Sequence, residues 1–175
     1  MSMITDPRPP NQPANRLANM IDAAKRWVKY DIQDGVKLGV ATFSDYDYVR
    51  IMQAMVEIND ANRDVIIDSL GEITATGQTC IGCGLKLAAN SPDLLNEKSG
   101  GNILLITDGK QYCAGTEDDC IKVSDMTDLF VERNIRVVTI AMGPDADPEI
   151  EDLAEKTGGK SYYVEVYRCP KKEHI

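Results

Sequence analysis

A chain of 175 residues, 43% of them hydrophobic, is long enough to bury one substantial core and reads as a single domain. Its 28 acidic residues outweigh 19 basic ones, and the net charge of -9 excludes a nucleic-acid-binding surface. No apolar run approaches the ~20 residues of a membrane span, so no membrane insertion of this chain is expected.

Pro7, Pro9, Pro10 and Pro13, set among polar residues, make residues 1–14 a loop. Leu17, Met20, Ile21, Ala24, Trp27 and Val28 then recur at helical spacing. Arg16, Asp22, Lys25, Arg26 and Lys29 take the other side, which predicts an amphipathic helix with one buried stripe. Asp34-Gly35 turns the chain into a strand over residues 36–43 that ends at Ser44-Asp45. Residues 49–58 are rich in β-formers, and the short link before them favours an antiparallel edge strand. Asn62 is placed to cap a helix carrying Val65, Ile66 and Leu70, with Gly71 near its end. A polar, glycine-rich loop over residues 76–84 leads into a helix with Leu85, Leu87 and Ala88, interrupted at Ser91-Pro92.

The unbroken run Ile103, Leu104, Leu105 and Ile106 suits a central parallel strand covered on both faces. Asp108 would stand at its carboxyl end, the edge where open α/β sheets bind ligands. It is also half of an Asp-Gly pair, a common turn. Val123, Met126, Leu129 and Phe130 mark the next helix, and residues 135–142 a second buried strand. Asp147-Pro148 starts a further helix, whose acidic residues 149–155 read as a solvent-facing surface, and Gly158 stops it. Residues 161–166 form the last strand, and the tail from Arg168 is polar. Strands alternating with helices predict an α/β fold: a mostly parallel sheet with helices on both faces and one antiparallel edge strand.

The five cysteines are too few for a disulfide scaffold, and their odd number leaves at least one unpaired. Cys80-Ile-Gly-Cys83 reads as a redox pair, half of a zinc site, or a small buried pair or local disulfide. A zinc site would need further ligands, while the only histidine, His174, sits in the tail. Cys113 and Cys120 bracket a polar loop that a disulfide would close in an oxidising compartment; Cys169 stands apart. An α/β enzyme of nucleotide or flavin type is the alternative class, but it needs a phosphate-cradling loop. Gly82-Cys83-Gly84 falls short of that pattern. Neither a Ser/His/Asp set nor His-Glu-x-x-His occurs, so a binding module is expected rather than an enzyme.

Gly77-Gln78-Thr79 and Thr107-Asp108-Gly109 both fall at element ends and offer the oxygen ligands that a hard divalent cation takes. A longer ordered series accompanies them: Asn15-Arg16-Leu17, Gly39-Val-Ala-Thr-Phe43, Asn62-Arg-Asp64, Thr79-Cys-Ile-x-x-Gly84-Leu85, Leu105-Ile-Thr-Asp-Gly109, Val138-Thr-Ile-Ala-Met-Gly-Pro144 and Thr157-Gly-Gly159. Together they resemble the von Willebrand factor A (vWA) domain of the calcium-activated chloride channel regulators, over residues 2–166. The resemblance implies a Rossmann-like vWA fold in residues 15–167, between a loop remnant of a metal motif (1–14) and a polar tail (168–175). It implies a metal-ion-dependent adhesion site with Ser2, Thr79 and Asp108 as ligands of Mg2+ or Ca2+. It further implies a protein partner that offers an acidic residue to the metal, such as a channel subunit, in an extracellular or cell-surface setting.

The family's first strand and the opening Asp-x-Ser of its metal motif would precede Met1, so the chain is expected to be truncated at its start. Divalent affinity should then be weak or absent. The strands over 36–43 and 103–106 should expose unpaired edges, close up, or be completed by another segment. Thr79 has an alternative role as a helix N-cap, and Asp45, Asp118 and Asp119 read as solvated loop acids.

Overall fold

The computed structural model describes residues 16–45, 47–95, 100–112, 121–143 and 147–164, and within them helices and strands alternate as the periodicity predicts. The elements are α1 (Arg16–Tyr30), β1 (Lys37–Phe43), β2 (Val49–Glu57), α2 (Arg63–Gly71), α3 (Ile81–Ala89), α4 (Pro92–Leu95), β3 (Asn102–Thr107), α5 (Val123–Glu132), β4 (Arg136–Met142), α6 (Glu149–Lys156) and β5 (Ser161–Val164). Ser2, Cys113, Asp118, Asp119, Cys120 and Cys169 lie outside the described residues, and with them the expected bridge between Cys113 and Cys120.

β1 and β2 pair antiparallel, and β3, β4 and β5 pair parallel in that order. The α/β class is as expected, but the strands divide into two sheets rather than one. Among the described residues no ladder joins β1 to β3. Among the described residues β1 pairs with β2 alone and β3 with β4 alone, and a strand edge left open invites pairing with another chain segment.

Two apolar clusters hold the layers. Val28, Ile32, Ile58, Ile66 and Leu70 bring α1 and α2 onto one face of the β1–β2 pair, with Leu38, Val40 and Val56 packed against them. Arg63 fastens this side: its Nη1 donates to the carbonyls of Val28 and Ile32, the latter at 2.9 Å. Those carbonyls lie at the end of α1, where helical partners run out. The larger cluster gathers Ile81, Leu85, Leu105, Phe130, Val137, Ile150 and Leu153 from α3, β3, α5, β4 and α6. Phe43 and Met55 pack against it, so α3 reaches β1 and β2 from the face opposite α1 and α2.

Several burial expectations are corrected. β3 was expected to be covered on both faces, yet Leu104 is 39% exposed while its neighbour Leu105 is buried. Successive strand side chains point to opposite faces, and α5 and α6 lie on the Leu105 side only. The register sets Leu104 beside Val138 and Ile106 beside Ile140 and Tyr162, on the side these helices leave open. Trp27, assigned to the buried stripe of α1, is exposed, because the helix uses a narrower face against the smaller sheet; Val65 on α2 is exposed too.

The glycine-rich segment expected as a loop up to Gly84 is helical from Ile81. Its glycines allow close approach. A Cβ on Gly82 would stand 2.0 Å from the Ile121 carbonyl oxygen, and one on Gly84 would stand 2.7 Å from the Phe43 ring. Glycine inside a helix ordinarily costs about 0.5–1 kcal/mol relative to alanine. Here the sign reverses: Gly82→Ala should destabilise the protein by about 1–3 kcal/mol, the scale of an overpacked core. Urea unfolding of both proteins measures it, and a gain in stability would refute the close packing.

Candidate functional site

Three segments meet at the carboxyl ends of β1 and β3. The first is Ser44-Asp45, directly after β1. Ser44 is buried, and its carbonyl accepts the Cys80 amide at 2.6 Å. The Asp45 Oδ1 accepts the Gln78 amide at 3.1 Å. The second segment is Gly77-Gln78-Thr79, laid against that carboxylate. Gly77 has φ +67, and a Cβ on it would lie 2.5 Å from Asp45 Oδ2, so only glycine fits there without displacement. The third is the run after β3. Thr79 and Tyr112 exchange both backbone hydrogen bonds, at 3.2 and 2.8 Å, which ties the threonine loop to the segment carrying Asp108.

Thr79 and Asp108, both singled out from the sequence, are buried at this end, at 6% and 3% exposure. Cys80, not Thr79, occupies the cap position of α3. The first turn of that helix is closed by a disulfide between Cys80 and Cys83, both buried. Of the readings open for this pair, the local disulfide is the one observed. Gln111 supports the same corner: its Oε1 accepts the Gly82 amide at 3.1 Å, and its backbone amide donates to Asp147 Oδ2 at 2.7 Å. The other oxygen of Asp147 accepts the Glu149 amide that opens α6.

Two site neighbours were misjudged from sequence. Asp45, read as solvated, is half-buried and holds the Gln78 amide. A signal was available, since Ser44-Asp45 follows a strand as Thr107-Asp108 does. Arg16, assigned to the solvent side of α1, has a side chain only 10% exposed and donates from Nη1 to Asp108 Oδ2 at 3.4 Å. As the first helical residue it reaches past the helix end, and a periodicity argument is blind to that.

The donors fit a hard cation in type: hydroxyl and carboxylate oxygen, on a corner where a buried carboxylate gains from positive charge. They fall short in number, for no group of three His, Cys, Asp or Glu side chains converges among the described residues. Burial pushes the Asp108 carboxyl above the usual aspartate range, while the Arg16 charge and hydrogen bond act in the opposite direction.

Comparison with known proteins bears on the same residues. The family model described as the von Willebrand factor type A domain matches residues 12–169. Calcium-activated chloride channel regulator 1 of mouse (Mus musculus) is 31% identical over 150 residues, 85% of this chain and 15% of that protein. The human (Homo sapiens) protein of the same name is 27% identical over 86% of this chain and 15% of its own length. The chain thus spans about 15% of the length of these curated relatives. Among solved structures, a von Willebrand factor type A protein from Catenulispora acidiphila superposes with a TM-score of 0.71 at 19% identity, covering 85% of this chain and 34% of that one. Proximal thread matrix protein 1 from the mussel byssus, solved with a zinc-occupied MIDAS motif, gives 0.60 at 23% identity, with coverages of 84% and 38%.

The raised Asp108 pKa carries a prediction. The native state holds this proton more tightly than the unfolded chain does. The group's contribution is therefore full below the usual aspartate pKa and lost as pH rises through the raised native value. In chelator, Asp108→Asn should remove that decline, so that its stability changes less with pH than the parent's. Urea unfolding of both proteins across the acid range checks it, and an Asn variant with the same pH dependence as the parent would refute the assignment.

Proposed function

Since this chain belongs to the von Willebrand factor type A domain family, we propose that it is a protein-binding module built on a partial metal-ion-dependent adhesion site. Asp108 and Thr79 are its ligands in the described corner, and Ser2 is the further hydroxyl. The observation that carries the reading is Asp108 itself: a carboxylate buried at the carboxyl end of a parallel strand, in a loop tied by backbone hydrogen bonds to the Thr79 loop. Arg16 partners this carboxylate, yet burial still raises its pKa, and carboxylates perturbed in this way gather at functional sites.

Mg2+ or Ca2+ is the proposed ion, because the donors are hard oxygens. The bound ion supplies a Lewis-acidic point that accepts a carboxylate from a protein partner. Thr79 and Asp108 hold the ion and fix where that carboxylate docks, and the Gln111 and Asp45 hydrogen bonds keep the loops from drifting. The zinc-occupied MIDAS motif of the mussel protein supports a metal at the corresponding place in this fold. The disulfide between Cys80 and Cys83 supports an oxidising, extracellular or cell-surface compartment. A role in regulating chloride conductance through a channel subunit rests on the similarity to the channel regulators.

Calorimetric titration of Mg2+, Ca2+ and Mn2+ tests this. With one buried carboxylate among the described residues, the affinity should lie at the weak end for extracellular sites, with Kd on the order of 1 mM or above. Asp108→Ala should abolish binding, and Thr79→Ala should weaken it roughly tenfold or more, the scale on which loss of even a supporting partner acts. Binding that survives Asp108→Ala unchanged sinks the site. A separate check concerns the clip: four residues closed by a disulfide contribute about 2 kcal/mol by loop entropy. Cys80→Ser with Cys83→Ser should lower unfolding stability by that order and leave some Asp108-dependent metal binding.

A further inference from the structure

The Arg16 guanidinium sits in a slot made by three elements. α1 supplies the side chain, the end of β3 supplies Asp108, and Gly143, directly after β4, forms the wall. A Cβ on Gly143 would lie 3.2 Å from Cζ and from both terminal nitrogens of Arg16. Gly143 also adopts φ +91, a conformation that side chains disfavour, and its amide donates to the Val164 carbonyl at 3.1 Å, which fixes the wall to β5. The Arg16 and Asp108 side chains are 10% and 5% exposed, so this contact is largely withdrawn from water.

A cation that ligates Asp108 must bring its charge to the same carboxylate that Arg16 already neutralises. A divalent ion on Asp108 and the Arg16 guanidinium would be two positive charges side by side at a place from which water is mostly excluded, so their occupancies oppose each other. We propose that Arg16 is an internal competitor of the divalent ion: it holds Asp108 in the metal-free protein and withdraws when the ion binds, loosening the first turn of α1. The proposal rests on the metal reading of Asp108 above. It makes metal occupancy and the docking of α1 mutually exclusive states of one corner.

Mn2+ titrated into the full chain and into Arg16→Gln, Arg16→Lys and Asp108→Ala tests the proposal by calorimetry, with far-UV circular dichroism confirming folding. Removing a neighbouring opposite charge shifts a carboxylate's affinity for a cation by tenfold or more. Arg16→Gln should therefore bind Mn2+ on the order of tenfold more tightly, with Arg16→Lys between it and the parent. Hydrogen exchange of the unmodified chain supplies a readout that needs no variant: saturating Mn2+ should speed exchange of the amides in the first turns of α1 and leave those of α6 unchanged. If binding stays sensitive to Asp108→Ala but is equal or weaker in Arg16→Gln, or if α1 exchange slows with Mn2+, the competition is overturned while the metal site stands. If neither the parent nor Arg16→Gln binds Mn2+, the metal reading and the competition fall together.

Discussion

The closeness with which α3 can approach its neighbours sets the arrangement of the described fold. This helix packs on β1 and β2, and its apolar residues Ile81 and Leu85 share a cluster with Leu105 of β3. It therefore joins two sheets that no ladder connects among the described residues. A side chain at residue 82 or 84 would strike the Ile121 backbone or the Phe43 ring, so glycine is required where helix propensity would disfavour it. The Cys80–Cys83 disulfide closes the same turn, and the Gln111 side chain receives its amide. Glycine flexibility in the unfolded chain is thus offset by a covalent clip and hydrogen bonds concentrated in one turn.

Holding α3 in that position also places the candidate site. The residue before its cap is Thr79, and the carbonyl that receives the cap residue's amide belongs to Ser44 at the end of β1. The ends of both sheets are thereby brought to one corner. Asp108 is buried there, and burying a carboxylate is costly unless a positive charge compensates it. Arg16 provides that charge from the start of α1, and Gly143 leaves room for it. Packing of the helices and electrostatics of the corner are in this way one problem, because the same backbone contacts that close the core determine which charges meet.

Much of the fold was legible in the sequence. β2 was placed as an antiparallel edge partner from the short link after Phe43, and α6 was bounded by Asp147-Pro148 and Gly158. Such signals are local: a turn that is too short for a crossover, a carboxylate beside free amides, a residue tolerant of positive φ. Thr79 and Asp108 were singled out through motif order together with their places at element ends, and the structure buries both at that corner. What escaped was every feature that depends on a neighbour remote in sequence. Arg16 and Asp45 were consigned to solvent because periodicity and loop polarity do not register a partner 92 or 33 residues away. Gly82 and Gly84 were read as loop residues because propensity ignores Ile121 and Phe43.

The sequence by itself determined the alternation of helices and strands, the parallel order that this alternation implies, and the oxygen donors at the strand ends. These follow from backbone sterics and from the spacing of apolar residues, both of which act within a few residues. Only the tertiary structure decided that the strands fall into two sheets, that Leu104 is left open while Leu105 is buried, and that Arg16 lies on Asp108. Those outcomes depend on which faces and charges the packing brings together, and burial then amplifies each such meeting by removing the water that would have screened it.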